Sequence, residues 1–303
     1  MKHILNILLI IFVFTGVAVS QVTTSDLLKF NPDTEYVALG EAGVANTGSP
    51  MSLVTSPGLL SYLVKPSVSL SYVQWVEGIN YNYVSIGCPS EIGNFAVSLI
   101  YLSYGIIQGY TASQDKYEIP QSYAREFLVT YAILPKGEFT AGINLKYIQS
   151  NLAQYTAETG SLDISGAYKP GKIAGLTLGV SGKNLAGELK YNRQAEQLPQ
   201  SVVIGAGYSN PGFKKVTGYF DYEHALNSKY KYWSLGVEYK FNDMIDFRAG
   251  YRKSAEGEVL TDGIRTGFGL NLEWIKINYA YVPFSEYANN GTHQFGLEYM
   301  FLK

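Results

Sequence analysis

The sequence has little of what most enzymes use for catalysis. Among its 303 residues it has one cysteine, Cys88, and three histidines, so an internal disulfide framework is excluded. The histidines, His3, His224 and His293, are far from one another and from Cys88, which excludes a metal-ligand spacing. No Gly-x-Ser-x-Gly elbow occurs, because residues 179–182 lack the second spacer residue. We therefore expect no enzyme activity, no cofactor and no metal site.

Charged residues are also scarce, at 16%, and the formal net charge of −2 gives no reason to expect a nucleic-acid partner. After residue 18 no apolar run reaches the ~20 residues that a membrane-spanning helix needs. Hydrophobic residues nevertheless make up 47% of the chain, with 26 tyrosines and 31 glycines. An exported chain with this composition and no spanning helix is typical of a β-barrel, in which the backbone polar groups pair between strands.

The N-terminus predicts export. A short basic start, Met1 to His3, precedes an apolar stretch from Ile4 to Ala18, and Ala18-Val19-Ser20 is a small-x-small cleavage box. This order predicts a signal peptide over residues 1–20. Gln21 follows the predicted cut, which argues against a lipoprotein anchor, and the apolar stretch is too short for a membrane anchor.

The C-terminal residues alternate strictly between apolar and polar side chains, as in a strand with one apolar face. This pattern predicts the closing strand of a transmembrane barrel and resembles the insertion signal that the outer-membrane barrel assembly machinery reads. The alternative is the last strand of a soluble sandwich. The apolar positions of the predicted signal are Phe295, Leu297, Tyr299 and Phe301.

About fourteen alternating segments follow one another over residues 66–303, which we assign to a transmembrane, antiparallel, up-and-down β-barrel. In four of them Lys146, Glu238, Arg248 and Arg265 fall on the polar side, which we expect to face the lumen. Short turns alternate with longer links, and the longer links, predicted to be outer loops, are 105–121, 150–159, 185–199, 225–230, 253–261 and 283–292.

Residues 21–65 lack this alternation. The segment is apolar, rich in Ser, Gly and Pro, and precedes the first strand. It is predicted to fold into the barrel mouth as a plug, and the alternative is a flexible periplasmic arm. The candidate plug residues are Tyr36, Leu39, Gly40, Gly43, Pro57 and Leu59.

The link at 105–121 is unusually apolar for a loop that faces water. It is the predicted lid or partner surface, although packing into the barrel's own mouth explains the composition equally well. The candidate residues are Ile106, Ile107, Tyr110, Tyr117 and Ile119.

Several motifs resemble the PorV/PorQ family, which is related to the FadL-type fatty-acid transporters. They cover essentially the whole mature chain. The motif at residues 54–58 departs from the family pattern, because it lacks the Trp and Asn that commonly precede the first strand. The matching stretches are Ala38–Ala45 with Ser56–Leu59, Gly182–Gly187 with Leu198-Pro199, Gly236–Tyr239, Arg248–Arg252, Asp262–Gly269, Asn278–Phe284 and Gly291–His293.

The resemblance implies a FadL-like barrel in the bacterial outer membrane, in contact with lipid and lipopolysaccharide. It further implies a non-enzymatic component that binds proteins exported by a type IX secretion system, with secretion components and cargo as partners. The alternative is a FadL-like channel for uptake or export of small hydrophobic molecules. The lumen-facing charges argue mildly against an apolar passage through the centre of the barrel, but a lateral route would avoid them.

Overall fold

The computed structural model of the chain describes residues 26–75, 78–105, 108–110, 116–118, 122–135, 137–153, 155–191, 194–256, 262–284 and 291–301. The predicted signal peptide lies outside these residues. In the described part of the chain, no helix has both the length and the apolar character needed to cross a membrane.

Fourteen antiparallel strands form a closed barrel, as predicted. The first barrel strand pairs with the last, so that Ser67 lies opposite Met300 and Gln74 opposite His293. The barrel strands are β1 (Ser67–Gln74), β2 (Asn80–Cys88), β3 (Asn94–Ser103), β6 (Tyr123–Ala132), β7 (Phe139–Leu152), β8 (Tyr155–Tyr168), β9 (Leu176–Lys183), β12 (Ser201–Ser209), β13 (Val216–Ala225), β14 (Lys231–Lys240), β15 (Ile245–Ser254), β16 (Gly263–Leu272), β17 (Ile275–Pro283) and β18 (Gly291–Met300).

Side chains alternate between the two faces of the wall, as the period of a strand requires. Leu145, Leu235 and Ile264 are 57%, 54% and 64% exposed on the outer face. The predicted lumen charges, Lys146, Glu238, Arg248 and Arg265, are all buried. A closed barrel with an apolar outside and buried charges inside excludes the soluble sandwich, whose core would be apolar.

The two ends of the barrel differ. The end that holds both Ser67 and Met300 has the short turns, and we call it the turn end; we call the other the loop end. Two small hairpins lie at the loop end, and each forms a two-stranded sheet separate from the barrel. They are β4 (Gln108–Tyr110) with β5 (Lys116–Glu118), and β10 (Glu188–Tyr191) with β11 (Gln194–Gln197).

Three of the predicted outer loops contain strands, and one of them, the link at 105–121, holds the β4–β5 hairpin. The link at 150–159 is mostly strand, because β7 and β8 continue to pair from Phe139↔Tyr168 as far as Leu152↔Tyr155. The link at 185–199 contains the β10–β11 hairpin, whose two strands pair over four positions. Both segments are too polar for their alternation to indicate a strand.

The segment before β1 lies against the inner face of the wall. It contains a 3-10 helix at Asp26–Lys29, one short α-helix, α1 (Thr34–Ala38), and a second 3-10 helix at Pro57–Tyr62. The Asp33 carboxylate caps α1 by accepting hydrogen bonds from the backbone N–H groups of Glu35 and Tyr36. All five residues of α1 are buried, and they pack on β15 to β18. This packing argues against the alternative of a flexible periplasmic arm for the described part of the segment.

Candidate functional site

The six candidate plug residues, Tyr36, Leu39, Gly40, Gly43, Pro57 and Leu59, are all buried. They pack on opposite sides of the barrel wall. The part of the segment with Tyr36 and Leu39 packs on β13 to β18, and the part with Pro57 and Leu59 packs on β3 and β6 to β8. All six residues therefore lie in one folded segment inside the barrel. Their role as a plug stays a prediction.

Glycines on the inner face of the wall allow the segment to approach closely. A Cβ on Gly142 would lie 2.6 Å from the carbonyl carbon of Pro57, and one on Gly179 would lie 2.5 Å from the carbonyl oxygen of Val44. Gly236 faces the backbone of Leu39 in the same way. These strand glycines leave space where another backbone comes near.

Glu35 of α1 joins a set of charged residues that we call the lower ion cluster, together with Lys276, Arg248, Glu238 and Asp246. Its carboxylate accepts a hydrogen bond from the Lys276 ammonium, and it lies 3.3 Å from an Arg248 guanidinium nitrogen. The same guanidinium also contacts Glu238 at 3.0 Å and Asp246 at 3.3 Å. Every charge in the cluster has an opposite charge within reach, as buried charges require.

Glu41, at the end of the turn after α1, joins the upper ion cluster, which also contains Arg252, Arg265, Glu223 and Lys183. Its two carboxylate oxygens lie 2.6 Å from Arg265 and 3.2 Å from Arg252. Burial alone would raise the pKa of the Glu41 carboxyl, but the two guanidinium groups outweigh burial and lower that pKa to about 2. Glu41 is thus an anion at physiological pH.

The backbone of the segment before β1 also binds polar side chains of the wall. The Asp221 carboxylate accepts hydrogen bonds from the N–H groups of Gly43 and Val44, at 2.8 and 2.9 Å. On the other side of the barrel the Ser165 hydroxyl accepts a hydrogen bond from Gly58 N–H at 2.7 Å. Gln294 donates to the carbonyl of Pro32 at 2.8 Å. These residues were not among the sequence candidates. A polar residue on an inner strand face has the same sequence pattern whether its side chain contacts water or another backbone.

A cavity of 650 Å³ lies on the loop-end side of α1, and we call it the upper cavity. One part of its wall is apolar and aromatic, with Leu27, Phe30, Trp75 and Val282 among its members. The other part is formed by the upper ion cluster. Phe30 packs edge-on against Trp75 with the ring centroids 4.6 Å apart, which joins the segment to the apolar wall.

A second cavity of 640 Å³, the lower cavity, lies on the turn-end side of α1. Its lining is mostly polar and includes Glu35, Glu238, Asp246 and Lys276 of the lower ion cluster, and Glu298. No residue lines both cavities. Residues 34–45, which we call the partition, separate them: Glu35 and Ala45 line the lower cavity, and Val37 and Glu41 the upper one.

The β10–β11 hairpin folds over the loop end. Leu189 of β10 and Leu198 after β11 are fully buried in one cluster with Leu27, Leu102 and Ile148. This hairpin covers part of the barrel interior, which is the arrangement that the sequence analysis predicted for the link at 105–121. Of that link's candidate residues, Ile106, Ile107 and Ile119 lie outside the described residues, and Tyr110 and Tyr117 belong to β4 and β5.

The remaining sequence candidates lie on the outer face. Phe295, Leu297 and Phe301 of the predicted insertion signal are exposed there, and Tyr299 is half-buried. His293 lies beside them, with its Nδ1 2.7 Å from the Tyr279 hydroxyl. The described residues contain no group of three or more His, Cys, Asp or Glu side chains that could hold a metal ion. Recognition of the insertion signal stays a prediction.

No family model matches the sequence, and no curated protein matches it. Solved structures do. The toluene transporter TodX of Pseudomonas putida has a TM-score of 0.59 at 12% identity, covering 93% of this chain and 98% of its own. The toluene transporter TbuX of Ralstonia pickettii has a TM-score of 0.60 at 12% identity, covering 92% and 100%. A FadL homologue of Pseudomonas aeruginosa has a TM-score of 0.53 at 10% identity, covering 94% and 100%.

At these identities the likeness shows the fold alone. The chain has the fold of a FadL-like barrel. The finer resemblance to the PorV/PorQ family is not supported by any of these matches and stays a prediction.

Proposed function

We propose that this protein is an outer-membrane channel for small hydrophobic or amphiphilic molecules, with residues 26–65 as its plug. The observation that carries the proposal is the upper cavity, a space of 650 Å³ inside the barrel with apolar and aromatic side chains on one part of its wall and charged groups on the other. Small-molecule sites are typically cavities of this size that combine apolar and aromatic walls with polar groups. The FadL-like fold of two toluene transporters supports the same class of substrate.

The apolar outer face supports the placement in a membrane. Exposed Leu, Ile, Phe and Val side chains continue around the wall from strand to strand, well beyond the few hundred Å² of contiguous apolar surface that soluble proteins expose. The short turns at the end that holds both Ser67 and Met300 favour a periplasmic turn end. The upper cavity would then open toward the cell surface and the lower cavity toward the periplasm.

The partition accounts for the plug. Residues 34–45 separate the two cavities and are bound to the wall by the two ion clusters and by Asp221. A molecule in the upper cavity reaches the lower one only if the partition moves or if the wall opens. The partition also packs apolar side chains on the wall, such as Leu39 and Ala42 against Tyr219, so its rearrangement would break apolar contacts as well as ion pairs.

Binding of exported proteins, the function that the PorV/PorQ resemblance implies, is a second hypothesis. It needs a partner surface at the barrel rim, and most of the candidate loop for that surface lies outside the described residues. No observation in the described structure favours it over the channel.

Trp75 provides a test, since it lines the upper cavity whereas Trp233 and Trp274 are exposed on the outer face. In a Trp233→Phe, Trp274→Phe background, 1-bromodecane added to the purified protein should quench the remaining Trp75 emission in a saturable way. Leu27→Glu, which adds a charge to the apolar wall, should weaken that quenching. As a control, Leu235→Glu places a charge on the outer face and should leave saturation unchanged. Linear, unsaturable quenching in the parent background would refute an apolar site.

Uptake tests transport itself. Cells that lack their own FadL-like channels and express this protein should take up radiolabelled toluene faster than cells without it, because lipopolysaccharide slows the entry of apolar molecules. A rate equal to that of the empty cells would contradict the channel proposal. Recovery of secretion-system components or secreted cargo from the membrane with the protein would favour the second hypothesis.

A further inference from the structure

Two neighbouring turns at the turn end have the same design. In the first, between β8 and β9, the Ile173 N–H donates to the Pro170 carbonyl at 3.1 Å; in the second, between β12 and β13, the Phe213 N–H donates to Asn210 at 3.1 Å. Each turn contains a Pro-Gly pair and ends with an apolar side chain at its tip. Ile173 is 53% exposed and Phe213 54%.

The wall brings these two turns side by side. β9 and β12 are paired strands, with Leu176 opposite Tyr208 at the turn end. The Ser209 N–H also donates to the Gly175 carbonyl at 3.0 Å, which joins the two turns directly. The tips therefore form one surface, which we call the lysine patch and define by Lys172, Ile173, Phe213, Lys214 and Lys215.

One carboxylate lies beside this patch: Glu138, in the turn between β6 and β7, accepts a hydrogen bond from the Gly171 N–H. Lys172, Lys214 and Lys215 are exposed, and neither turn contains an acidic residue. In the described part of the chain none of the three has a carboxylate oxygen within 4 Å. Lysines at the loop end differ: Lys190, Lys231 and Lys253 lie 2.7, 3.6 and 3.5 Å from Glu188, Glu256 and Asp262.

Other turns of the same end also lack this arrangement. The β2–β3 turn has the exposed Ile92 at its tip, but its neighbour is Glu91, and Glu273 likewise precedes the exposed Trp274 between β16 and β17. The apolar tip is thus common to the rim, and the cluster of lysines is particular to one arc of it.

We propose that the lysine patch binds the phosphate of an anionic glycerophospholipid in the inner leaflet. Exposed Leu178 and Val180 of β9 and Ile204 of β12 continue the apolar surface from the patch along the wall, so that acyl chains have a surface beside the headgroup site. Apolar tips enter the interface while lysine ammonium groups reach the headgroups, and basic clusters at a membrane surface attract anionic lipids. This inference rests on the proposed membrane placement, with the turn end in the periplasm.

Lipid retention measured by native mass spectrometry tests the site. The purified full chain is mixed with equal amounts of phosphatidylcholine and phosphatidylglycerol, and the ratio of retained lipids is determined. The wild type should retain phosphatidylglycerol in preference, and Lys172→Gln, Lys214→Gln, Lys215→Gln combined should lower its apparent affinity about a hundredfold. The matched control, Lys190→Gln, Lys231→Gln, Lys253→Gln, removes the same charge from the loop end and should keep the preference.

A wild type without preference, or an equal loss in the control, would overturn the site. So would stronger retention of lipopolysaccharide than of phosphatidylglycerol through the same three lysines. Saturable quenching of Trp75 by 1-bromodecane, measured on the same variants, separates this inference from the channel proposal. If quenching persists while lipid preference is absent, only the lipid site fails, and the persistent quenching also shows that the triple variant is folded.

Discussion

The upper and lower cavities have nearly the same volume, 650 and 640 Å³, but different walls. The upper one has aromatic and aliphatic side chains on one side, whereas the lower one is lined by carboxylates, lysines and amides. An apolar molecule gains by leaving water for the upper cavity and gains little from the lower one. If the protein is the channel proposed above, binding and release would be separated in space, with the partition between them.

The two ion clusters hold the same partition from opposite sides but are built differently. In the lower cluster the guanidinium of Arg248 forms ion pairs with three carboxylates, including that of Glu35 in the partition. In the upper cluster the carboxylate of Glu41 forms ion pairs with two guanidinium groups. The lower cluster therefore depends on its cation and the upper one on its anion, which predicts where each is most sensitive to substitution.

The largest effect is expected from Arg248→Ala. The change leaves Glu35, Glu238 and Asp246 buried with one cation fewer, and loss of one partner from a buried ion pair costs about 3–5 kcal/mol. Urea unfolding in detergent, followed by tryptophan emission, measures the loss. The control is Arg125→Ala, because Arg125 is exposed on the wall. Equal midpoints for the two variants would contradict this role of the lower cluster.

Glu41→Gln should have a smaller effect, confined to the partition. It removes the charge that meets Arg265 and Arg252, but Arg252 keeps Glu223 at 3.7 Å, so the barrel itself loses little. Hydrogen bonds to charged groups contribute about 1.5–3 kcal/mol, which predicts roughly a tenfold rise in opening of the partition. Opening is read as maleimide labelling of Ala45→Cys, which is buried in the closed form, in a Cys88→Ser background.

The matched control for that measurement is Glu256→Gln, which removes an exposed carboxylate paired with Lys231 at the loop end. Unchanged labelling in the control and faster labelling in Glu41→Gln would assign the effect to the upper cluster. If both variants label at the parent rate, Glu41 does not restrain the partition.

Gly179→Ala should shift the partition by a still smaller amount. The added Cβ would lie 2.5 Å from the Val44 carbonyl oxygen, so the segment must move away from the wall, at about 1 kcal/mol for one extra methyl group. The same substitution at Gly218 meets nothing within 4 Å and serves as the control. Labelling of Ala45→Cys should rise severalfold in the first variant alone; a rise in both would indicate a general loosening of the barrel.

The fold could be predicted from the sequence to a greater extent than the site. Alternation over nine residues, as in Phe139 to Tyr147, fixes both the strand and the face that is apolar, and Lys146 is indeed inside. The strand ends were predicted less well at the loop end, where β7 and β8 extend through polar residues whose pattern is the same in a strand and in a loop.

The contacts of the partition could not be predicted, because each joins residues far apart in the chain. Glu35 and Lys276 are separated by 241 positions, and Asp221 and Gly43 by 178. A charged residue on an inner strand face is expected to have an oppositely charged partner. Which residue is that partner depends on the three-dimensional arrangement of the closed barrel. The strand glycines were the only local signal, since a gap in an inner face indicates that another backbone comes near.

The last prediction is a pH dependence that belongs to the upper cluster. The pKa of Glu41 is about 2 in the closed form and near 4.5 when the carboxyl is released into water. A carboxyl with a lowered pKa stabilises the closed form at every pH above 4.5, and this contribution is lost as the pH falls from 4.5 toward 2. In the Trp233→Phe, Trp274→Phe background, Trp75 reports on the segment that contains the partition, because Phe30 of that segment packs on it. Its emission should be constant from pH 8 to about 5 and change below that value, whereas Glu41→Gln should remove most of this change. An identical profile in both proteins would mean that another acid, and not Glu41, sets the response.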